Sequence, residues 1–297
     1  MKNIILPGTL KFTFIFSIAA LMASCGGGET AKDTSAENTV VADSTAQPAE
    51  EVDQVSYNLP SPLQIASLFK KSGLKFLEGI TNNQKDPSKY TANYSKSLNL
   101  GVYGADLAYC VLNKQSQDAL TYMKASTQLA SSLGMTSIFE EGGFVKRFEK
   151  NINAEDSLRN IIAELQMATD TYLEDNEQQQ ISAIAFAGAW TEAMYIGSRV
   201  FEKSKDKRLN NKISEQMTIL SKIVNVLKTH QSKDPGIATL VADMNTLLDT
   251  YNNFESVKKS KTVSEDDSSG LVVELTETET AELIKKITEL RNKFVNS

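Results

Sequence analysis

The six prolines of this chain stand at positions 7, 48, 60, 62, 87 and 235, none of them beyond the first turn of the long stretches where apolar residues recur at helical spacing. A proline in a helix interior costs about 3 kcal/mol, so this placement leaves those stretches free to run as uninterrupted helices. The first begins at Pro60-Ser61-Pro62. Ser61 suits an N-cap, Pro62 the first helical position, and Gln64 completes a capping box. Leu63, Ile65, Leu68, Phe69, Phe76, Leu77 and Ile80 then predict a helix to residue 80, weakened at Gly73. Further amphipathic stretches follow at 90–112, 116–133, 144–148, 153–173, 177–203, 206–227, 235–254 and 276–294. Ser116 and Asp206 are the expected caps, Asn153 with Asp156 opens a helix, Asp234-Pro235-Gly236 is a turn and restart, Thr276 precedes the last helix, and Gly134 is an expected stop. The fold class read from this pattern is all-α. Residues 61–297 form a single domain of about eight or nine helices, in an antiparallel bundle or a helical-hairpin array.

Two segments depart from the pattern. Residues 256–270 are charged and serine-rich and read as a flexible linker before the last helix. Gly270 to Leu275 is strand-like but too isolated to build a sheet. Within the helical region, Leu98–Tyr109 and Ile184–Tyr195 echo each other at an offset of 86 residues, which aligns Asp106 with Glu192 and Tyr109 with Tyr195. Either a helical hairpin has been duplicated, or two helices rich in small residues resemble each other by chance.

The N-terminal part has a different composition. Lys2 and Lys11 precede an uncharged run from Phe12 to Ser24, which ends in Leu21-Met22-Ala23-Ser24-Cys25. At 13 residues this run is too short to span a bilayer, which takes about 20. A positive start, an apolar centre and small residues before a cysteine make an export signal ending in a lipid-attachment site. This resembles a bacterial lipoprotein signal, with Leu21, Ala23, Ser24 and Cys25 at the motif positions. The resemblance implies removal of residues 1–24, acylation of Cys25 (palmitate among the chains) and membrane anchorage. Gly26 in the following position, in place of Asp, implies the outer membrane, with the periplasmic or the surface face left open. Residues 25–60 read as an acidic, disordered tether: seven acids against Lys32, and almost no large apolar residue before Tyr57. Such a coil has a mean reach of roughly 30–35 Å.

The formal net charge is −6. The signal segment holds +2 and residues 26–60 hold −6, leaving −2 for residues 61–297. A nearly neutral domain has no broad draw toward nucleic acid. With Cys25 acylated, Cys110 is the other of the two cysteines and has no disulfide partner; its apolar helical setting predicts a buried, inert thiol. His230 is the single histidine and ends a helix, where a capping or surface role is expected, so a zinc site of His and Cys is not expected. Neither a Gly-x-Ser-x-Gly elbow nor a phosphate-cradling glycine loop is present, and no cofactor is expected.

Asp106 and Glu192 are the candidate functional residues. Small and aromatic neighbours place both on buried helix faces, where a carboxylate must be paired, hydrogen-bonded or protonated. One reading is a structural network, with Glu192 paired to Arg199 or to a tyrosine hydroxyl. The other gathers both carboxylates with Tyr103, Tyr109, Tyr195 and Trp190 into a pocket for a cationic or sugar-like ligand or a hard divalent ion, or into a two-carboxylate hydrolase.

Asn99-Leu100-Gly101-Val102-Tyr103-Gly104-Ala105-Asp106, with Pro60-Ser61-Pro62 upstream and Gly188-Ala189-Trp190-Thr191-Glu192 downstream, resembles an uncharacterised family of helical lipoproteins of the Bacteroidota. That resemblance implies no particular activity. The expected function is therefore a non-enzymatic envelope lipoprotein that binds a protein partner or acts as a scaffold. The alternative is a small-ligand or cation-binding protein using the Asp106/Glu192 region.

Overall fold

The computed structural model describes residues 59–84, 87–263 and 273–297. The signal segment, Cys25 and all of the tether but Leu59 and Pro60 lie outside the described residues. So do residues 264–270 of the expected linker and Gly270 to Val272 of the strand-like run. Eleven α-helices and no strand occur among the described residues, which makes the fold all-α.

In chain order the helices are α1 (Pro62–Lys71), α2 (Asn93–Leu112), α3 (Ser116–Ser132), α4 (Thr136–Gly142), α5 (Phe144–Lys150), α6 (Glu155–Asp175), α7 (Gln179–Ser204), α8 (Lys207–Thr229), α9 (Pro235–Asn252), α10 (Glu255–Val263) and α11 (Glu277–Val295). Two of these, α4 and α10, raise the count above the eight or nine expected. The α10 helix also corrects the linker: residues 256–263 continue as helix and bury Val257.

Local chemistry explains most boundaries. Ser61 Oγ accepts from Gln64 N at 3.2 Å while Gln64 Oε1 accepts from Ser61 N at 2.7 Å, a complete capping box. Thr276 and Glu279 make the same box at α11. Asp206 and Asp234 cap α8 and α9 through their carboxylates, the latter with Pro235 at the first position. Ser116 does not cap α3, since it is already the first helical residue and Gln115 precedes it. Neither Asn153 nor Asp156 caps α6, where Ala154 takes the position without a side-chain bond. The largest difference from the sequence reading is in α1, which stops at Lys71 instead of running to residue 80. Gly73, at φ +97°, turns the chain there, and residues 74–84 are irregular while still burying Leu74 and Ile80.

The core is organised around α2 and α7, which pack on each other more extensively than any other pair. The reason is local. A Cβ at Gly101 would overlap the Ala185 carbonyl and lie 2.8 Å from Ala189 N, and a Cβ at Gly188 would overlap the Leu98 carbonyl. With glycine at both points the two backbones come into direct contact, as small residues allow wherever helices cross closely. The echoing stretches of sequence are thus the facing middles of these two helices. The α3 helix packs on α2 and α8 on α7, with α9 against α8, while α11 lies across α7, α9 and α2. On the other side α6 leans on α2, α5 and α7. No helix among the described residues is long and apolar enough to cross a membrane.

Candidate functional site

Asp106 on α2 and Glu192 on α7 meet in the seam between their helices, and both are fully buried. Glu192 is gripped by Arg291 of α11: Nε donates to Oε2 at 2.8 Å and an η nitrogen to Oε1 at 3.1 Å. This is the bidentate fork that guanidinium and carboxylate geometry favours. The Arg291 guanidinium also lies over the Tyr195 ring, 4.6 Å from its centroid. Asp106 Oδ2 accepts the backbone N–H of Asn82 at 3.1 Å. The two carboxyl groups are close enough to act on each other's charge, and Asp106 Oδ1 has no hydrogen-bond partner. Burial, and then the adjacent Glu192 charge, push the Asp106 carboxyl well above the usual carboxylate range, so Asp106 holds the proton. Burial raises Glu192 as well, but the charge and hydrogen bonds of Arg291 oppose it. The result is a neutral acid beside a glutamate–arginine pair.

Two of the four aromatic residues expected to line a ligand pocket, Tyr103 and Tyr109, bind the protein's own backbone instead, as does Tyr122 of α3. Tyr109 Oη accepts from Leu77 N at 2.6 Å, Tyr103 Oη donates to Asn83 O at 2.8 Å, and Tyr122 Oη donates to Asn82 O at 2.7 Å. Together with Asp106 they pin the irregular segment after α1, so that segment fills the space where a guest was expected. Burial first, and nearby buried groups after it, push the Tyr109 phenol up to about 12. Trp190 is fully buried with no hydrogen-bond partner on Nε1. Five of the six candidates, Asp106, Glu192, Tyr103, Tyr109 and Tyr195, therefore fall into one packed seam, whereas Trp190, two residues before Glu192, leaves α7 from another face. The two carboxyl groups of the seam are fully buried, with no exposed surface for a sugar ring or the reacting water that a glycosidase needs.

Arg199, one of the partners considered for Glu192, pairs at the surface with Glu202. Arg291 was not singled out from sequence, although a signal existed. It stands in the apolar stripe of the last helix, four residues after Ile287 and one after Leu290. Cys110 is buried, and burial raises its thiol far from reactivity. His230 sits at the C-cap of α8.

A separate concavity lies on the other face of α2. It is a cleft of about 290 Å³, at the lower end of ligand-pocket sizes. Leu100, Gly101, Gly104 and Leu107 of α2 with Ala185 and Phe186 of α7 make its floor, and Ile162, Leu165 and Leu173 of α6 its roof. Leu63 and Phe139 close two sides. Its polar residues include Ser126, Gln166, Asp170, Glu174, Ser182 and His230. Asp170 organises one end: its Oδ1 accepts from Ser182 Oγ at 3.0 Å and its Oδ2 from Gln166 Nε2 at 2.9 Å. None of this was legible from periodicity, which reports buried faces but not the gaps between them. Among the described residues no group of three or more His, Cys, Asp or Glu is placed to hold a metal ion. No protein-family model, curated protein or solved structure matches this chain.

Proposed function

We propose that this chain is a lipid-anchored, non-enzymatic protein of a bacterial envelope whose helical domain works by binding. The lipoprotein-like run Leu21 to Cys25 and the acidic stretch behind it support the anchorage, and Gly26 supports the outer membrane. The observation that carries the non-enzymatic reading is the sealed seam. The single carboxyl pair that sequence analysis singled out for acid–base work is at 0% exposure and locked to Arg291, out of reach of water and substrate. Between a protein-docking scaffold and a small-ligand module, the concave, half-open and largely apolar cleft beneath α6 favours the second. It also moves the binding region away from Asp106 and Glu192.

Fractionation of cells producing the wild-type chain or Cys25→Ser tests the anchorage. The wild-type protein is expected in the membrane fraction carrying radiolabelled palmitate, and the variant is expected in the soluble fraction without label. A Cys25→Ser protein that stays with the membrane would overturn the proposal. Affinity capture from solubilised envelopes addresses the scaffold alternative. A stoichiometric protein partner whose capture survives a blocked cleft would favour scaffolding over ligand binding.

A further inference from the structure

Gly104 is the anomaly that leads to a ligand. From Gly101 to Asn113 every residue of α2 and its cap is buried except Gly104. Glycine in a helix interior costs up to about 1 kcal/mol relative to alanine, so a glycine there needs a reason. Gly101 has one in the overlap with Ala185, but a Cβ on Gly104 would meet nothing within 4 Å. Its φ is not positive either, so backbone conformation does not demand glycine. What Gly104 provides is open volume in the floor of the cleft.

A second observation is independent of the first. Ser126 lines the same cleft, is 5% exposed, and its hydroxyl has no hydrogen-bond partner. Thr191 and Ser198, buried on α7, return their hydroxyls to the carbonyl four residues back, whereas Ser126 does not. An unsatisfied buried hydroxyl costs about 1–3 kcal/mol, which a bound polar group can recover.

Charge narrows the class of guest. Among the described residues lining the cleft there is no lysine or arginine, while Asp170 and Glu174 are present. Ser182 and Gln166 each donate to one oxygen of Asp170. A carboxylate has about four acceptor sites, so two remain for a donor. An anionic head would face the Asp170 carboxylate, whereas a protonated amine would be matched by it. At a liquid-like 30 Å³ each, the cleft has room for on the order of ten non-hydrogen atoms.

We propose that the cleft between α6 and the α2–α7 floor binds a small cationic amphiphile, its apolar body over Gly104 and its ammonium group at Asp170. This rests on reading the domain as a binding module. The test is calorimetric titration of the full chain carrying Cys25→Ser with octylammonium, octanol and octanoate, each below its micellar concentration. Octylammonium is expected to bind saturably at one per chain, octanol about tenfold more weakly, and octanoate not measurably. Asp170→Asn should bring octylammonium down to the affinity of octanol, a loss of about tenfold typical of one charge-assisted hydrogen bond. Gly104→Leu fills the floor and should abolish binding while raising the melting temperature, which shows the variant to be folded. Equal binding of octanoate and octylammonium, or an Asp170→Asn variant with unchanged amine affinity, would overturn the ligand class while leaving the binding module intact. If no probe binds, or if all bind Gly104→Leu as well as wild type, the cleft as a site is lost together with the small-ligand reading.

Discussion

The two faces of α2 treat polar groups in opposite ways. On one face a carboxylic acid, a carboxylate and a guanidinium are closed in among three helices, and tyrosine hydroxyls on the same side hold the protein's own backbone. On the other, Gly104 opens onto an apolar cleft where Ser126 has no partner and Asp170 has accepting capacity left. The sealed face leaves Asp106 Oδ1 without a partner yet gives it no exposed surface, whereas the open face sets Ser126 and Asp170 beside a cleft. For a chain whose most suspicious residues by sequence are Asp106 and Glu192, this contrast is the main lesson. A buried charge marks the structural seam, and the site is marked by missing side-chain volume.

The contrast can be broken most forcefully at Arg291. Arg291→Met leaves Glu192 buried without its cation, a change expected to cost about 3–5 kcal/mol in denaturant unfolding. A loss below about 1 kcal/mol would mean that water reaches the seam. Next in size is Gly101→Ala. The added methyl has nowhere to go against Ala185, and forcing the helices apart should destabilise the fold by about 2–3 kcal/mol. Asp106→Asn sharpens the picture through pH. The folded-state pKa of Asp106 is raised, so its contribution is fully present below the unfolded value near 4 and is lost as pH rises through the folded one. Wild-type stability should therefore decline above about pH 4, with Asp106 contributing a slope of up to about 1.4 kcal/mol per pH unit. The asparagine variant, which keeps both a donor and an acceptor, should lack that component. Melting curves of the two proteins between pH 4 and 8 check this, and parallel curves would assign the proton elsewhere. The smallest expected effect has the opposite sign. Gly104→Ala should stabilise by up to about 1 kcal/mol, because it gains helix propensity and meets open space. The same substitution at two glycines three residues apart thus separates closeness from vacancy.

Much of the fold was legible in the sequence because it is encoded locally. The capping box at Ser61, the aspartate cap at Asp206, the turn and restart at Asp234-Pro235-Gly236 and the stop at Gly134 each depend on a few adjacent residues, and all occur as read. The end of α1 was not legible. Leu74, Leu77 and Ile80 keep a helix-like spacing, while what holds them in an irregular path is a set of tyrosine and aspartate side chains from helices further along the chain. The echo was the one sequence signal that could bring Asp106 and Glu192 together, and it left open whether they share a site; their small neighbours spoke only for burial. Their partner was not legible, because a pairing across 99 residues leaves no local trace. The cleft was illegible for a different reason. Gly101 and Gly104 look alike in a sequence, and only the neighbouring helices show that one is crowded and the other is empty.

The position of Arg291 along the chain has a consequence for biosynthesis. Glu192 enters the growing polypeptide 99 residues before the group that neutralises it. At ordinary elongation rates that interval lasts about 5–20 s. Throughout it, closing α2 onto α7 would trap an uncompensated negative charge, so the nascent chain gains little by folding early. A polypeptide that stays loose until its last helix is made is well suited to being threaded across a membrane before it folds.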